Sequence, residues 1–156
     1  MRLLSREFPV ATPLDRAWDI LADIRAWPRW AKHIRSVRAD PPGPVTPETV
    51  GALRLAGGVR SSFRMKEFDL GRHWVWEGRF LWLWVSYDHI FEVIDPQTTR
   101  IRFTIDAEGP GVGFLGPAFA RIYARNLDRA IPNLVELMQR ERVADPQAQE
   151  ERPEDP

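Results

Sequence analysis

The sequence lacks three features that would each indicate a class of function. It contains no cysteine, which excludes disulfide bonds, thiolate nucleophiles and thiolate-bound zinc. Its 22 basic and 22 acidic side chains give a formal net charge of zero, so the excess positive charge of a nonspecific nucleic-acid binder is missing. No apolar run reaches the ~18 residues of a transmembrane helix, and the first residues form no secretory signal. We therefore expect a cytoplasmic protein with no nucleic-acid partner.

Large apolar side chains are plentiful instead. The 156 residues suffice for one domain, and 44% of them are hydrophobic, which is enough for a packed core. Four of the seven tryptophans fall within a short stretch: Trp74, Trp76, Trp82 and Trp84. Such a cluster marks either a dense core or a surface that contacts apolar ligands.

Alternation of apolar and polar residues is the main secondary-structure signal. It predicts seven strands, which we place at 2–10, 34–39, 50–56, 59–70, 73–80, 84–94 and 99–107. Pro9 cannot donate a ladder hydrogen bond, so the first strand should lie at a sheet edge. Turn residues separate most of the later strands, but the junction at 80–84 contains only bulky apolar residues.

Two short helices are predicted between the first and second strands. The first should begin with Thr12 as its N-cap and Pro13 in its first turn. The second contains Trp27 and Trp30. We assign Trp18 and Trp30 to the core of the fold.

The C-terminal part of the domain predicts one long amphipathic helix. Apolar residues recur at three- and four-residue intervals over 119–138, and Pro132 should kink the helix. Residues 144–156 hold five acids, one arginine and no large apolar side chain. We therefore predict a ligand-binding domain over 1–143 followed by a disordered acidic, proline-rich tail.

These elements together predict an α+β fold. Sequential antiparallel strands with short connections form one curved sheet, and the long helix can cover its concave face. A strongly curved sheet around a single helix is not filled everywhere by side chains, so a cavity is expected between them.

Several segments resemble a known family. Residues 8–23, followed by Trp27-Pro-Arg-Trp30, are similar to the opening of the START-like (SRPBCC) superfamily, in its polyketide cyclase/dehydrase branch. Segments 89–93 and 99–103 and the glycine-rich entry to the last helix resemble it too, so the similarity covers roughly residues 3–140. The resemblance implies a helix-grip fold, in which a seven-stranded curved antiparallel sheet wraps around a long C-terminal helix and encloses an apolar ligand cavity.

Our leading hypothesis is the transport or sequestration of a hydrophobic or aromatic small molecule, without a cofactor. Strand and helix periodicity predicts the cavity lining to be Phe63, Met65, Trp74, Trp76, His89, Phe91, Phe103, Ile105, Tyr123 and Leu127. His89 and Tyr123 would orient the ligand by hydrogen bonding. A simpler interpretation of His89 is a histidine bonded to a core neighbour.

An alternative hypothesis is an enzyme, a polyketide cyclase/aromatase or a dehydratase. It requires His89 and an inward carboxylate as acid and base, and Glu67 is the available candidate. Glu67 and Asp69 share the parity of Phe63, but a bulge near Lys66 would turn both acids outward, and this is the orientation we favour.

A third hypothesis is a module that docks on a membrane or a protein through the aromatic segment 80–84. Trp82 and Trp84 are predicted at the cavity entrance, together with Gly111 and Gly113. The Gly-x-Gly-x-x-Gly segment that begins at Gly111 lacks the second parallel strand of a nucleotide-binding unit, so we interpret it as a hinge. The three histidines lack metal-ligand spacing, and no metal is expected.

Overall fold

The structure is a computed structural model, and it describes residues 1–144. Seven antiparallel strands form one sheet in the order β1-β7-β6-β5-β4-β3-β2. The strands are β1 Arg2–Val10, β2 Ile34–Asp40, β3 Val50–Leu55, β4 Arg60–Asp69, β5 His73–Phe80, β6 Leu83–Asp95 and β7 Thr98–Glu108. All seven predicted strands are confirmed, each within one residue of its predicted bounds.

Three α-helices lie on the sheet. They are α1 Leu14–Ala22, α2 Trp27–Trp30 and α3 Val112–Val143, with a 3-10 turn, Ile24–Ala26, between the first two. Because β1 and β2 form opposite edges of the sheet, the chain from α1 to α2 crosses its width. Helix α3 packs mainly against β1, β7 and α2. This arrangement confirms the predicted helix-grip architecture. No helix within residues 1–144 is both long and apolar enough to cross a bilayer.

Two predictions about strand positions are confirmed. Strand β1 lies at an edge, where Pro9 pairs with Arg100 of β7 and needs no partner on its other side. In β4 the register shifts between Met65 and Glu67, and Glu67 is exposed. The bulge moves Phe68 to the inner face.

The β5–β6 turn is formed by Leu81 and Trp82 alone, since Phe80 pairs with Leu83. Leu81 has a φ of 56°, in the left-handed region that glycine usually occupies. The Trp82 Nε1 group donates a hydrogen bond to the Pro110 carbonyl oxygen at 2.8 Å. The hydrogen bond from Trp82 to Pro110 thus stabilises a turn that contains no glycine, proline, asparagine or aspartate.

The predicted N-cap of α1 is wrong. The cap position is Pro13, which offers no side-chain bond, and the first backbone bond of the helix runs from Ala17 N–H to the Pro13 carbonyl at 2.9 Å. Thr12 is buried with its hydroxyl unpartnered in the described part of the chain. Its carbonyl instead accepts from the Thr99 hydroxyl at 2.8 Å, which ties the start of α1 to β7.

The predicted glycine hinge is also wrong, because α3 already begins at Val112. Gly111 is the left-handed N-cap, with φ 74°, whereas Gly113 and Gly116 lie inside the helix. A Cβ at Gly116 would lie 2.8 Å from Leu3 Cδ2, so this glycine permits a close approach of α3 to β1. The helix continues through Pro132, and the kink there stays a prediction. The predicted tail lies outside the described residues from position 145 onward.

Gly51 is expected to be essential for the sheet and Gly113 dispensable. A Cβ at Gly51 would lie 2.2 Å from the Arg38 carbonyl oxygen and 2.6 Å from Phe63 Cζ, so Gly51→Ala should cost about 2 kcal/mol or more. At Gly113 nothing lies within 4 Å of the added atom, so Gly113→Ala should stabilise the helix by up to about 1 kcal/mol. Urea unfolding of both variants tests this, and equal stabilities would contradict the packing at Gly51.

Candidate functional site

A cavity opens between the sheet and the helices. The atom-free space in this region is about 790 Å³, a figure that includes open solvent outside the mouth of the cavity. The lining consists mostly of aromatic and aliphatic side chains from α2, α3, six strands and the α2–β2 connection, with a few hydroxyl and imidazole groups and the acidic residue Asp88. These residues are Trp27, Trp30, Ala31, His33, Ile34, Leu53, Leu55, Ser61, Ser62, Phe63, Trp76, Gly78, Tyr87, Asp88, His89, Phe103, Thr104, Ile105, Tyr123 and Leu127.

The position of α3 explains why this space is not filled. The helix packs against β1 and β7 at one side of the sheet and against α2. Strands β3, β4 and β5, farther across the sheet, supply much of the cavity wall. Some of their inner side chains, such as Leu53 and Phe63, therefore face the opening, whereas Trp74 packs on α1.

Most of the predicted lining lies together. Seven of the ten predicted residues border the cavity: Phe63, Trp76, His89, Phe103, Ile105, Tyr123 and Leu127. The other three do not. Trp74 and Phe91 are core residues that pack on Trp18 of α1, with ring centroids at 4.7 and 5.1 Å. Met65 is half-buried against the core outside the lining.

The sequence analysis missed several lining residues. Trp27 and Trp30 of α2 both border the cavity, and Trp30 is also buried in the core as predicted. Their spacing of three placed them on one helix face, but nothing in the sequence specified what that face covers. Tyr87 could have been found, since it shares strand parity with His89.

His89 lies within a cluster of rings. Its imidazole stacks on Trp74 at 5.1 Å between centroids, and Trp27, Trp76 and Phe103 approach at 5.7, 5.4 and 5.1 Å. Burial lowers the pKa of His89 from 6.5 to about 3, against a smaller opposing effect of backbone hydrogen bonding. The ring is therefore neutral near pH 7. Its Nδ1 has no partner in the described residues.

Two tyrosines add neutral hydrogen-bonding groups. The rings of Tyr87 and Tyr123 lie 5.4 Å apart. Burial raises the pKa of both phenols above the usual value of 10.0, and for Tyr87 the charge of Tyr123 raises it further. Within residues 1–144 no hydrogen bond engages either hydroxyl or that of Ser61. The indole Nε1 of Trp30 is likewise unpartnered there.

The carboxylates near His89 point elsewhere. Asp88 is next to it in sequence and borders the cavity, but its carboxylate lies 3.4 Å from Nδ1 of His73, on the opposite strand face. Burial raises the pKa of Asp88, and His73 partly offsets this effect. Glu67, the candidate acid of the enzyme hypothesis, is exposed. In the part of the chain that the structure describes, His89 therefore has no carboxylate partner for acid–base chemistry.

None of the four predicted entrance residues belongs to the lining. For Trp84 the prediction is wrong, because its ring lies on the outer face, under the guanidinium groups of Arg64 and Arg79 at 5.6 and 5.4 Å. Trp82 is 51% exposed at the hairpin tip. Gly111 and Gly113 lie at the start of α3.

A curved antiparallel sheet that holds one long helix and encloses an apolar cavity defines the START-like class of domains. The family described as polyketide cyclase / dehydrase and lipid transport matches residues 1–139, and the chain belongs to this family.

Solved structures show the same fold. A hypothetical protein from Helicobacter pylori has a TM-score of 0.72 at 16% identity, covering 86% of each chain. An aromatase/cyclase from a Streptomyces species has a TM-score of 0.67 at 20% identity, covering 90% of this chain and 94% of the other. A START superfamily protein from Mycobacterium smegmatis has a TM-score of 0.62 at 14% identity, covering 88% of this chain and 99% of the other. No curated protein matches the sequence.

The burial of His89 predicts a pH dependence of stability. The unfolded chain protonates this residue near pH 6.5, whereas the folded protein does so only at about pH 3. Between these values the unfolded state binds more protons, so stability falls as the pH is lowered, by up to about 1.4 kcal/mol per pH unit. His89→Gln should remove this contribution to the dependence of the unfolding free energy on pH. Urea unfolding measured from about pH 6 to about pH 4, inside that window, tests this. An imidazole NMR titration of His89 near its ordinary pKa would contradict the prediction.

Proposed function

We propose that this protein binds an uncharged hydrophobic or aromatic small molecule in the cavity between the sheet and α3, for transport or sequestration. The observation that carries this proposal is the combination of an apolar, ring-rich wall with a few neutral polar side chains. Ligand sites commonly have this composition, in which apolar area supplies affinity and a few polar atoms set orientation.

The aromatic wall favours an aromatic ligand. Trp76 contacts Trp27 and Phe63, with centroids 4.7 and 4.6 Å away and ring planes inclined by 69° and 56°. Each Å² of apolar ligand surface removed from water contributes about 25 cal/mol. Offset or edge contacts with aromatic rings add about 0.5–1.5 kcal/mol per pair.

The electrostatics favour an uncharged ligand. His89 and the tyrosines Tyr87 and Tyr123 are neutral near pH 7, and burial also lowers the pKa of His33. A charged group in this wall would lose its hydration without gaining a counter-ion, which is costly. Carbonyl and hydroxyl groups fit better, because they are uncharged and can bond to the tyrosine hydroxyls.

Similarity to an aromatase/cyclase is compatible with an aromatic ligand. Acid–base catalysis by His89 has less support, because its pKa of about 3 makes it a weak base and no described carboxylate faces it. Binding is therefore the function we propose.

Trp76 and Trp74 offer a matched test. Both lie on the inner face of β5, but only Trp76 borders the cavity. Trp76→Phe should weaken binding of the uncharged fluorophore phenylnaphthylamine about fivefold through lost ring contact, whereas Trp74→Phe should leave its Kd unchanged. Fluorescence titration gives both values, and thermal unfolding verifies that each variant is folded.

Two further measurements sharpen this experiment. The sulfonated analogue anilinonaphthalenesulfonate should bind more weakly than the uncharged fluorophore, and native mass spectrometry of the purified protein should reveal a retained small molecule. Equal effects of the two tryptophan variants would contradict the assigned lining. Tighter binding of the sulfonate would contradict the preference for an uncharged ligand.

A further inference from the structure

The outer side of the hairpin tip and of α3 exposes large apolar side chains. Phe114 and Ile122 of α3 are 86% and 63% exposed, and Leu81 and Trp82 of the β5–β6 turn are 61% and 51% exposed. Isolated apolar residues on a surface are ordinary, whereas a group of them usually marks a contact site. We call these four residues the tip surface.

The two parts of the tip surface are held together. Trp82 Nε1 bonds to the Pro110 carbonyl at 2.8 Å, immediately before the N-cap of α3. Beneath the turn, the rings of Phe80 and Phe119 pack with centroids 4.9 Å apart. The strained turn at Leu81 is therefore fixed against the helix, and its exposed side chains are presented in a defined place.

A row of positive charge continues the tip surface along α3. Arg121, Arg125 and Arg129 are exposed and four residues apart. At 3.6 residues per turn they share about a third of the helix circumference with Phe114 and Ile122.

These arginines are available for an external partner. None of the three forms an ion pair within residues 1–144, and the helix has no acidic residue before Asp128. Asp128 is itself paired with Arg6 at 2.7 Å. The surface therefore combines exposed apolar groups with uncompensated positive charge.

We propose that the tip surface and the three arginines dock this protein on an anionic phospholipid bilayer. Aromatic and aliphatic side chains enter the headgroup boundary while adjacent arginines bind lipid phosphates, which is the charge pattern of interfacial helices. A second copy of the chain is a poorer partner, because a symmetric contact would bring like charges together. A nucleic acid would leave Leu81 and Ile122 without stacking partners.

Vesicle co-sedimentation of the full-length chain tests the proposal. The protein should sediment with vesicles of equal parts phosphatidylcholine and phosphatidylglycerol and remain in solution with phosphatidylcholine alone. Leu81→Ser/Trp82→Ser should reduce the bound fraction at least about tenfold through lost apolar insertion. Arg121→Gln/Arg125→Gln/Arg129→Gln should reduce it to a similar degree, and added salt should mimic this triple variant.

Matched control variants lie elsewhere on the sheet. Leu70→Ser removes an apolar side chain that is 73% exposed. Leu70 lies in the β4–β5 turn, at the end of β5 that is remote from the tip surface. Arg35→Gln/Arg38→Gln/Arg60→Gln removes three exposed arginines from β2 and β4. Both variants should bind anionic vesicles like the unmodified protein, and all variants should retain fluorophore binding in the cavity.

Three results would overturn the proposal. Binding to neutral vesicles as strong as to anionic ones would show that the arginines are not used. Equal losses in the test and control variants would show that the tip surface is not the contact. Failure to bind vesicles, with concentration-dependent dimers or DNA binding abolished by Leu81→Ser/Trp82→Ser, would assign the surface to a protein or nucleic-acid partner.

Discussion

The uneven support of α3 is the constraint on which the rest of this structure depends. The helix rests on β1, β7 and α2, while α1 packs its Trp18 against Trp74 and Phe91 at another part of the sheet. Between these two covers, inner side chains of β3–β5 such as Leu53 and Phe63 border the cavity. A helix placed centrally would fill the space and leave a conventional core. The positions of the helices on the sheet therefore determine where the cavity lies. Its ring-rich wall is the part of the inner sheet face that the helices do not fully cover.

That wall combines rigidity with incomplete hydrogen bonding. Rings around His89 lie within 5.1–5.7 Å of it, so the imidazole is held in one orientation and kept neutral. The same burial leaves His89 Nδ1 and Trp30 Nε1 without partners in the described residues. An unsatisfied buried polar group costs about 1–3 kcal/mol. These two unpartnered atoms are therefore a cost of packing the rings closely beside the cavity.

Strand parity predicted the sheet, the bulge near Lys66 and most of the cavity wall, because a period of two fixes the face of every side chain. Parity does not specify what lies above that face. Trp74 and Trp76 have the same pattern in sequence, and only the position of α1 makes the first a core residue and the second a wall residue. The outward position of Trp84 was available from parity. The turn at Leu81 was not predictable, since a tertiary bond from Trp82 replaces the usual turn chemistry.

Helix α3 must satisfy three demands with one sequence. Tyr123 and Leu127 border the cavity, Gly116 packs closely on β1, and Phe114 projects from the opposite side to Tyr123. Positions nine residues apart fall on opposite sides of a helix of 3.6 residues per turn. A helix that is apolar on both sides over its first half cannot show a single clean stripe, and this explains why its N-terminal part was mistaken for a glycine-rich hinge. The exposed apolar side contributes nothing to the core that the structure describes, and the membrane contact that we propose is the role we assign to it.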